Sequence, residues 1–158
     1  MIRRKFAAIA LGLALATGAT GCTFNSPVAS LDMYVPSDGA QIDVGDLKVR
    51  NFIYLTDSAG YAALFGSVVN SSSRSQVLEI QYTDAASGAK SSSTVLIEGG
   101  QKVDLGYNGN SPLEIALAGQ PGSLTSVFVV QVNGEGKELK IPVLDGTLAE
   151  YADLLPAN

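Results

Sequence analysis

The sequence predicts an all-β domain, a sandwich of short strands with a short helical tail, and three observations lead there. From Leu47 onward, segments with period-two apolar alternation are separated by turn residues every eight to twelve positions, which is the pattern of an all-β sandwich or barrel. Asn133-Gly134 stands between two apolar runs and marks a hairpin, since both residues tolerate the positive φ of a type I′ turn. No helical pattern of ten to fifteen residues interrupts the strands, which argues against βαβ units.

The chain divides into four parts. Residues 1–21 have the layout of an export signal: Arg3, Arg4 and Lys5, then eleven apolar residues from Phe6 to Ala16, then small residues. Eleven residues are too few for a span, which needs about 20 at 1.5 Å each. The signal ends in Ala19-Thr20-Gly21-Cys22, which resembles the lipobox of bacterial lipoproteins, with Ala19 where leucine is usual. That resemblance implies a diacylglycerol on the Cys22 thiol and cleavage before it. Cys22 is the one cysteine of the chain, so no intramolecular disulfide can consume it. Two acyl chains give the stable attachment that one does not. The expected location is the extracytoplasmic face of the cell membrane, with a palmitate-type anchor.

Residues 22–46 read as a tether and covering segment, with Leu31-Asp32-Met33-Tyr34-Val35 strand-like. Some twenty flexible residues would hold the domain about 25 Å from its lipid.

Residues 47–146 carry the sandwich. Leu47, Val49, Asn51, Ile53 and Leu55 alternate against Lys48 and Arg50, which predicts one shared face. Asp57–Gly60 turns the chain into Tyr61–Asn70, a run buried on more than one side. Ser71–Ser75 loops into Val77–Thr83, where Leu78, Ile80 and Tyr82 oppose Glu79 and Gln81. Asp84–Ser91 has no period and predicts a long, mobile loop. Thr94–Ile97 and Lys102–Leu105 flank Gly99-Gly100; Leu113, Ile115 and Leu117 alternate after Pro112. Leu124–Val132 then pairs with a return strand carrying Leu139, Ile141 and Val143, which lies at an edge or ends at Pro142, because proline cannot donate to a ladder. Ile53, Leu78, Ile115 and Val129 are the expected core.

Residues 147–158 form the tail. Thr147-Leu148-Ala149-Glu150 fits a capping box, after which Leu148, Tyr151 and Leu155 line one side of about two turns. So short a helix must pack on something: its own sandwich, or a partner for which Leu148, Tyr151 and Leu155 are the candidate contacts.

Composition removes most chemistry. The chain has no histidine, so Ser-His and Cys-His nucleophile pairs and imidazole metal sites cannot form. After processing, Met33 is the remaining methionine and Cys22 is committed to lipid, so no soft site assembles from one chain. Asp43 with Asp46, or Asp32 with Asp38, offer oxygens, but calcium needs six to eight and no EF-hand spacing is present. Glu79 and Glu114 sit in apolar-rich segments without clustered aromatics to stack a sugar, a poor setting for glycoside hydrolysis. No cofactor motif occurs. Loss of the three signal cations leaves seven Lys and Arg against fifteen Asp and Glu, a net charge of −8. Such a surface repels phosphate backbones and anionic lipid, so nucleic acid is not an expected partner.

The series Gly60–Asn70, Leu78, Ile97–Leu105, Leu113–Leu117, Gly122–Leu124 and Ile141-Pro142-Val143 resembles the PCuAC periplasmic copper-chaperone domain. That resemblance spans about residues 47 to 143. It implies an Ig-like, cupredoxin-like Greek-key sandwich. Members hold Cu(I) through His and Met, one pair of them in the segment matching Ser111–Leu117, which here has neither. The anchor, the missing ligands and the Ile-Pro-Val ending with its Tyr-containing tail resemble actinobacterial LpqE-type lipoproteins. That group implies a non-enzymatic accessory subunit on the outer face of the cytochrome bcc-aa3 supercomplex. The alternative is a lipoprotein that binds a small ligand or a metal ion and takes part in copper handling.

Overall fold

The computed structural model describes residues 37–156. The export signal, Cys22 and Leu31–Val35 lie outside the described residues. Eight strands and one helical turn follow: β1 (Ala40–Val44), β2 (Leu47–Thr56), β3 (Ala62–Asn70), β4 (Gln76–Thr83), β5 (Lys90–Ile97), β6 (Lys102–Leu105), β7 (Leu124–Gln131), β8 (Gly136–Leu144) and α1 (Ala149–Ala152). One curled sheet runs β5-β4-β7-β8-β2-β3-β6, with β1 also paired to β2. Its two halves fold over a common core of Leu47, Val49, Phe52, Tyr54, Leu78, Ile80, Val129 and Ile141. The all-β sandwich-like architecture is as expected.

β8 holds the halves together. It pairs antiparallel with β7 from Gly136 to Pro142 and then parallel with β2 through Tyr54↔Val143 and Leu55↔Leu144. Of the two places Pro142 allows, an edge or a strand end, the second is found: β8 lies inside the sheet and ends at Leu144. The missing donor is tolerated because Pro142 faces Leu124, at the last rung of the β7 ladder, and β2 joins one residue later.

The single face expected for Leu47, Val49, Asn51, Ile53 and Leu55 is also corrected. The β2–β3 register shifts between Arg50 and Ile53, and Asn51 takes a φ of 52°, a left-handed conformation that Asn tolerates better than most residues. Its Oδ1 accepts the Gly39 N–H at 3.0 Å. This bulge inverts the alternation. Phe52 and Tyr54 enter the main core, while Ile53 and Leu55 turn to a second cluster with Ala63, Phe65 and Tyr151. Gly66 permits the crossing, since a Cβ there would lie 2.3 Å from Phe52 Cδ1.

Ile53, Leu78, Ile115 and Val129 are all buried. Ile115 is nevertheless not on a strand. Between Leu113 and Leu117 the chain makes only isolated bridges, Leu64↔Leu113 and Asp84↔Leu117. The hydroxyl of Tyr54 crosses the core between them, donating to the Ile115 carbonyl and accepting the Leu117 N–H, each at 2.9 Å. The apolar alternation was real, but a side chain replaces the ladder.

Three further local expectations change. β5 begins at Lys90, so the β4–β5 connection is a short turn in which Asp84 Oδ1 accepts the N–H groups of Ala86 and Ser87. The β7–β8 connection is wider than a two-residue hairpin: Asn133 has a φ of 66° but Gly134 does not share it, and Gln131 closes on Glu135. Val132 still donates to the Val77 carbonyl on β4, which holds it out of a tighter turn. The capping box does not form either. Leu148 is the N-cap without a side-chain bond, and Asp145 Oδ1 accepts the Thr147 N–H instead.

Candidate functional site

The buried polar groups hold the fold together. Asp104 lies on β6, where Ser67 Oγ and Asn108 Nδ2 donate to its carboxylate at 2.6 and 2.7 Å and Lys102 pairs with it. The Ser67 hydrogen bond, with help from Lys102 and Asn108, holds the Asp104 carboxyl below its usual range. Asn70 Nδ2 donates to the Arg74 and Ile97 carbonyls, tying the β3–β4 loop to the β5–β6 turn. Burial pushes the Tyr54 phenol up. Among the described residues no buried side-chain N or O lacks a partner.

Of the carboxylates weighed as oxygen ligands, Asp43 and Asp38 go to separate partners, and Asp32 lies outside the described residues. Asp43 pairs with Arg50, whose hydrogen bond lowers its pKa, and Asp38 accepts the Tyr151 hydroxyl. Among the described residues no group of three or more His, Cys, Asp or Glu could hold a metal ion.

An open feature lies on the outward face of β5-β4-β7-β8. Antiparallel register places side chains in rows across it. Ser92, Gln81, Phe128 and Glu138 form one row, with Lys90 and Thr83 paired beside it. Together with Glu79 and Ser126 they line a trough of about 680 Å³. Glu114 is not part of this lining. Phe128 is 43 % exposed and lies across β8 over Gly136, where a Cβ would meet Phe128 Cε1 at 2.5 Å. The diagonal neighbour of an aromatic across an antiparallel pair is within its reach, and glycine there lets the ring rest on the sheet.

The same face ends in an apolar strip. Leu96 on β5 pairs with Val77 on β4, and Val132 follows on the far side of Val77. Leu96 is 58 % and Val132 38 % exposed. Leu96 and Ser92 are four residues apart on β5, about 13 Å at ~3.3 Å per residue, and Val77 of the strip is two residues, about 7 Å, from Glu79 at the trough's near end.

The tail packs on its own domain. Tyr151 is buried in the second cluster, Leu155 packs half-buried against it, and Leu148 is 52 % exposed. Desolvation, then the Asp38 carboxylate, drive the Tyr151 phenol far above its ordinary value. Of the three tail candidates, Leu148 is the one left open to solvent. The trough and the strip escape sequence reading because their outward residues are spread over four strands. Phe128, inside the unbroken run Val127–Val130, carried no parity signal.

The fold is that of a small, PCuAC-like β-sandwich. The apo PCuAC domain of PmoF2 superposes with a TM-score of 0.51 at 18% identity, covering 68% of this chain and 97% of that one. The copper-bound PCuAC domain of PmoF2 gives 0.49 at 17%, covering 66% and 97%. These likenesses concern the fold alone. No protein-family model matches the chain. No curated protein matches it.

Proposed function

We propose that the protein is a non-enzymatic, lipid-anchored extracytoplasmic module, held by diacylglyceryl-Cys22, that works as an accessory subunit of a membrane protein complex. The observation that carries this reading is the Leu96–Val77–Val132 strip, with Leu96 and Val132 exposed beside half-buried Val77 on the outside of a sheet whose other face is the core. Desolvation of such a strip is the usual source of contact energy, with charged side chains left at the rim. The LpqE-type resemblance makes the cytochrome bcc-aa3 supercomplex the first partner to try.

Co-purification from native membranes in mild detergent tests the reading. Leu96→Glu with Val132→Glu should abolish recovery of respiratory subunits while the protein stays folded and membrane-bound. Undiminished recovery contradicts the strip; absence of respiratory subunits from the wild-type eluate contradicts the partner.

The likeness to a copper-chaperone domain favours a second reading, a role in copper handling. Cu(I) takes soft thiolate, thioether and imidazole ligands, and residues 37–156 contain no Cys, Met or His. On this reading the chain would act by contact with a copper carrier, and Cu(I) titration of the full chain should show no tight site. Submicromolar binding would make it a copper protein in its own right.

A further inference from the structure

We infer that the trough on the outward face of β5-β4-β7-β8 is a binding site for a neutral oligosaccharide, with Phe128 as the stacking platform. This site is separate from the apolar strip and does not rest on the reading given above. Three observations support it.

The first is shape. A cavity of about 680 Å³ falls within the roughly 300–1,000 Å³ of small-molecule sites, and it lies along the sheet, so a chain of sugar rings can run through it. Its walls are strand residues fixed by backbone ladders, so little ordering is required on binding.

The second is the character of the lining. Thr83, Ser92 and Ser126 bring hydroxyls and Gln81 an amide, groups that both donate and accept. Sugar hydroxyls also do both, so each can be matched in either sense. Glu79 and Glu138 add acceptors and Lys90 a donor. These charges are interleaved and of both signs, so the trough has no field of one sign to draw in an ion, and an uncharged ligand is the complementary one.

The third is Phe128. Its ring lies over Gly136 on the neighbouring strand and remains 43 % exposed. The Cε1–Cζ edge of the ring rests against Gly136, and the exposed remainder is an aromatic surface whose negative π-face would attract the weakly positive axial C–H groups of a pyranose. Gly136 is thereby a positioning residue, since any side chain there displaces the ring.

The test is saturation-transfer NMR on the detergent-solubilised full chain, with maltohexaose, cellohexaose and mannohexaose at millimolar concentration. Transfer to the ring C–H protons of at least one hexaose is expected. Phe128→Ala should weaken that binding at least about tenfold, roughly one aromatic contact. Gly136→Val, which keeps Phe128 but pushes it off the sheet, should do the same, and Leu96→Glu on the strip should leave it unchanged. Circular dichroism of each variant separates lost binding from lost fold. No transfer to any of the three hexaoses overturns the inference, and so does equal transfer in folded Phe128→Ala.

Discussion

Tyr151→Ala gives the sharpest test of whether the C-terminal tail closes the chain's own core. Tyr151 is 9 % exposed and packs with Ile53, Leu55, Ala63 and Phe65, and its hydroxyl donates to Asp38. Burial of a side chain of this size contributes about 1.5–3 kcal/mol. The hydrogen bond to a carboxylate adds about 1 kcal/mol, below the usual value for a charged partner because water reaches the site. The sum is about 2.5–4 kcal/mol. Detachment of the single turn α1 limits the loss to what its docking contributes, so an observed cost of about 2–4 kcal/mol is expected. Tyr151→Phe removes the hydroxyl alone and should cost about 1 kcal/mol. Leu148→Ala, at an exposed position, should stay within about 0.5 kcal/mol. Urea unfolding of the full chain measures all three. The packing account fails if Tyr151→Ala costs less than about 0.5 kcal/mol, or if Leu148→Ala costs more than Tyr151→Ala.

Alanine at Ile53, Leu78, Ile115 or Val129, all buried, should each cost about 2–5 kcal/mol by urea unfolding. Asp104 has a folded pKa below the ordinary carboxylate value, so its stabilisation is complete above the ordinary value and disappears as pH falls through the lowered one. Asp104→Asn should flatten the acid limb of the stability curve between about pH 5 and 2, and an unchanged limb would show that Ser67 and Lys102 do not act through this carboxylate. Tyr151, with its pKa raised from 10.0, contributes stability that is complete below pH 10 and lost at higher pH. Tyr151→Phe should therefore lose less stability than wild type as pH rises beyond that point. Cys22→Ser should release the protein from washed membranes; equal retention would refute the anchor.

Much of the fold was legible because burial on one side of a strand writes itself as period two. Leu78 and Ile80 on β4, and Leu139, Ile141 and Val143 on β8, showed it plainly. The reading failed where a local device broke the period or made it unnecessary. After Asn51 the bulge sends Ile53 and Leu55 to a second core, and the unbroken apolar run Phe52–Leu55 carries no parity to reveal it. Lys90–Ser93 forms half of an edge strand with no apolar residue, because it is held by backbone bonds to β4. Leu113–Leu117 had the period without the ladder, since only the fold brings the Tyr54 hydroxyl to it. Of the tail residues named as one face, Tyr151 and Leu155 pack inward and Leu148 does not, and sequence could not tell a residue that covers Phe65 from one left open. The outward trough was illegible for a simpler reason: Gln81, Ser92, Phe128 and Glu138 are brought into one row only by strand register.

The central claim is that the protein works by contact through the outward face of β5-β4-β7-β8. Site-specific photocrosslinking in native membranes tests it most directly, with a benzophenone amino acid placed at Leu96, at Val132 or, for comparison, at exposed Leu148. The account predicts discrete adducts with a membrane-complex subunit from Leu96 and Val132 and none from Leu148. Adducts from Leu148 alone would contradict it and return the tail to the role of docking element.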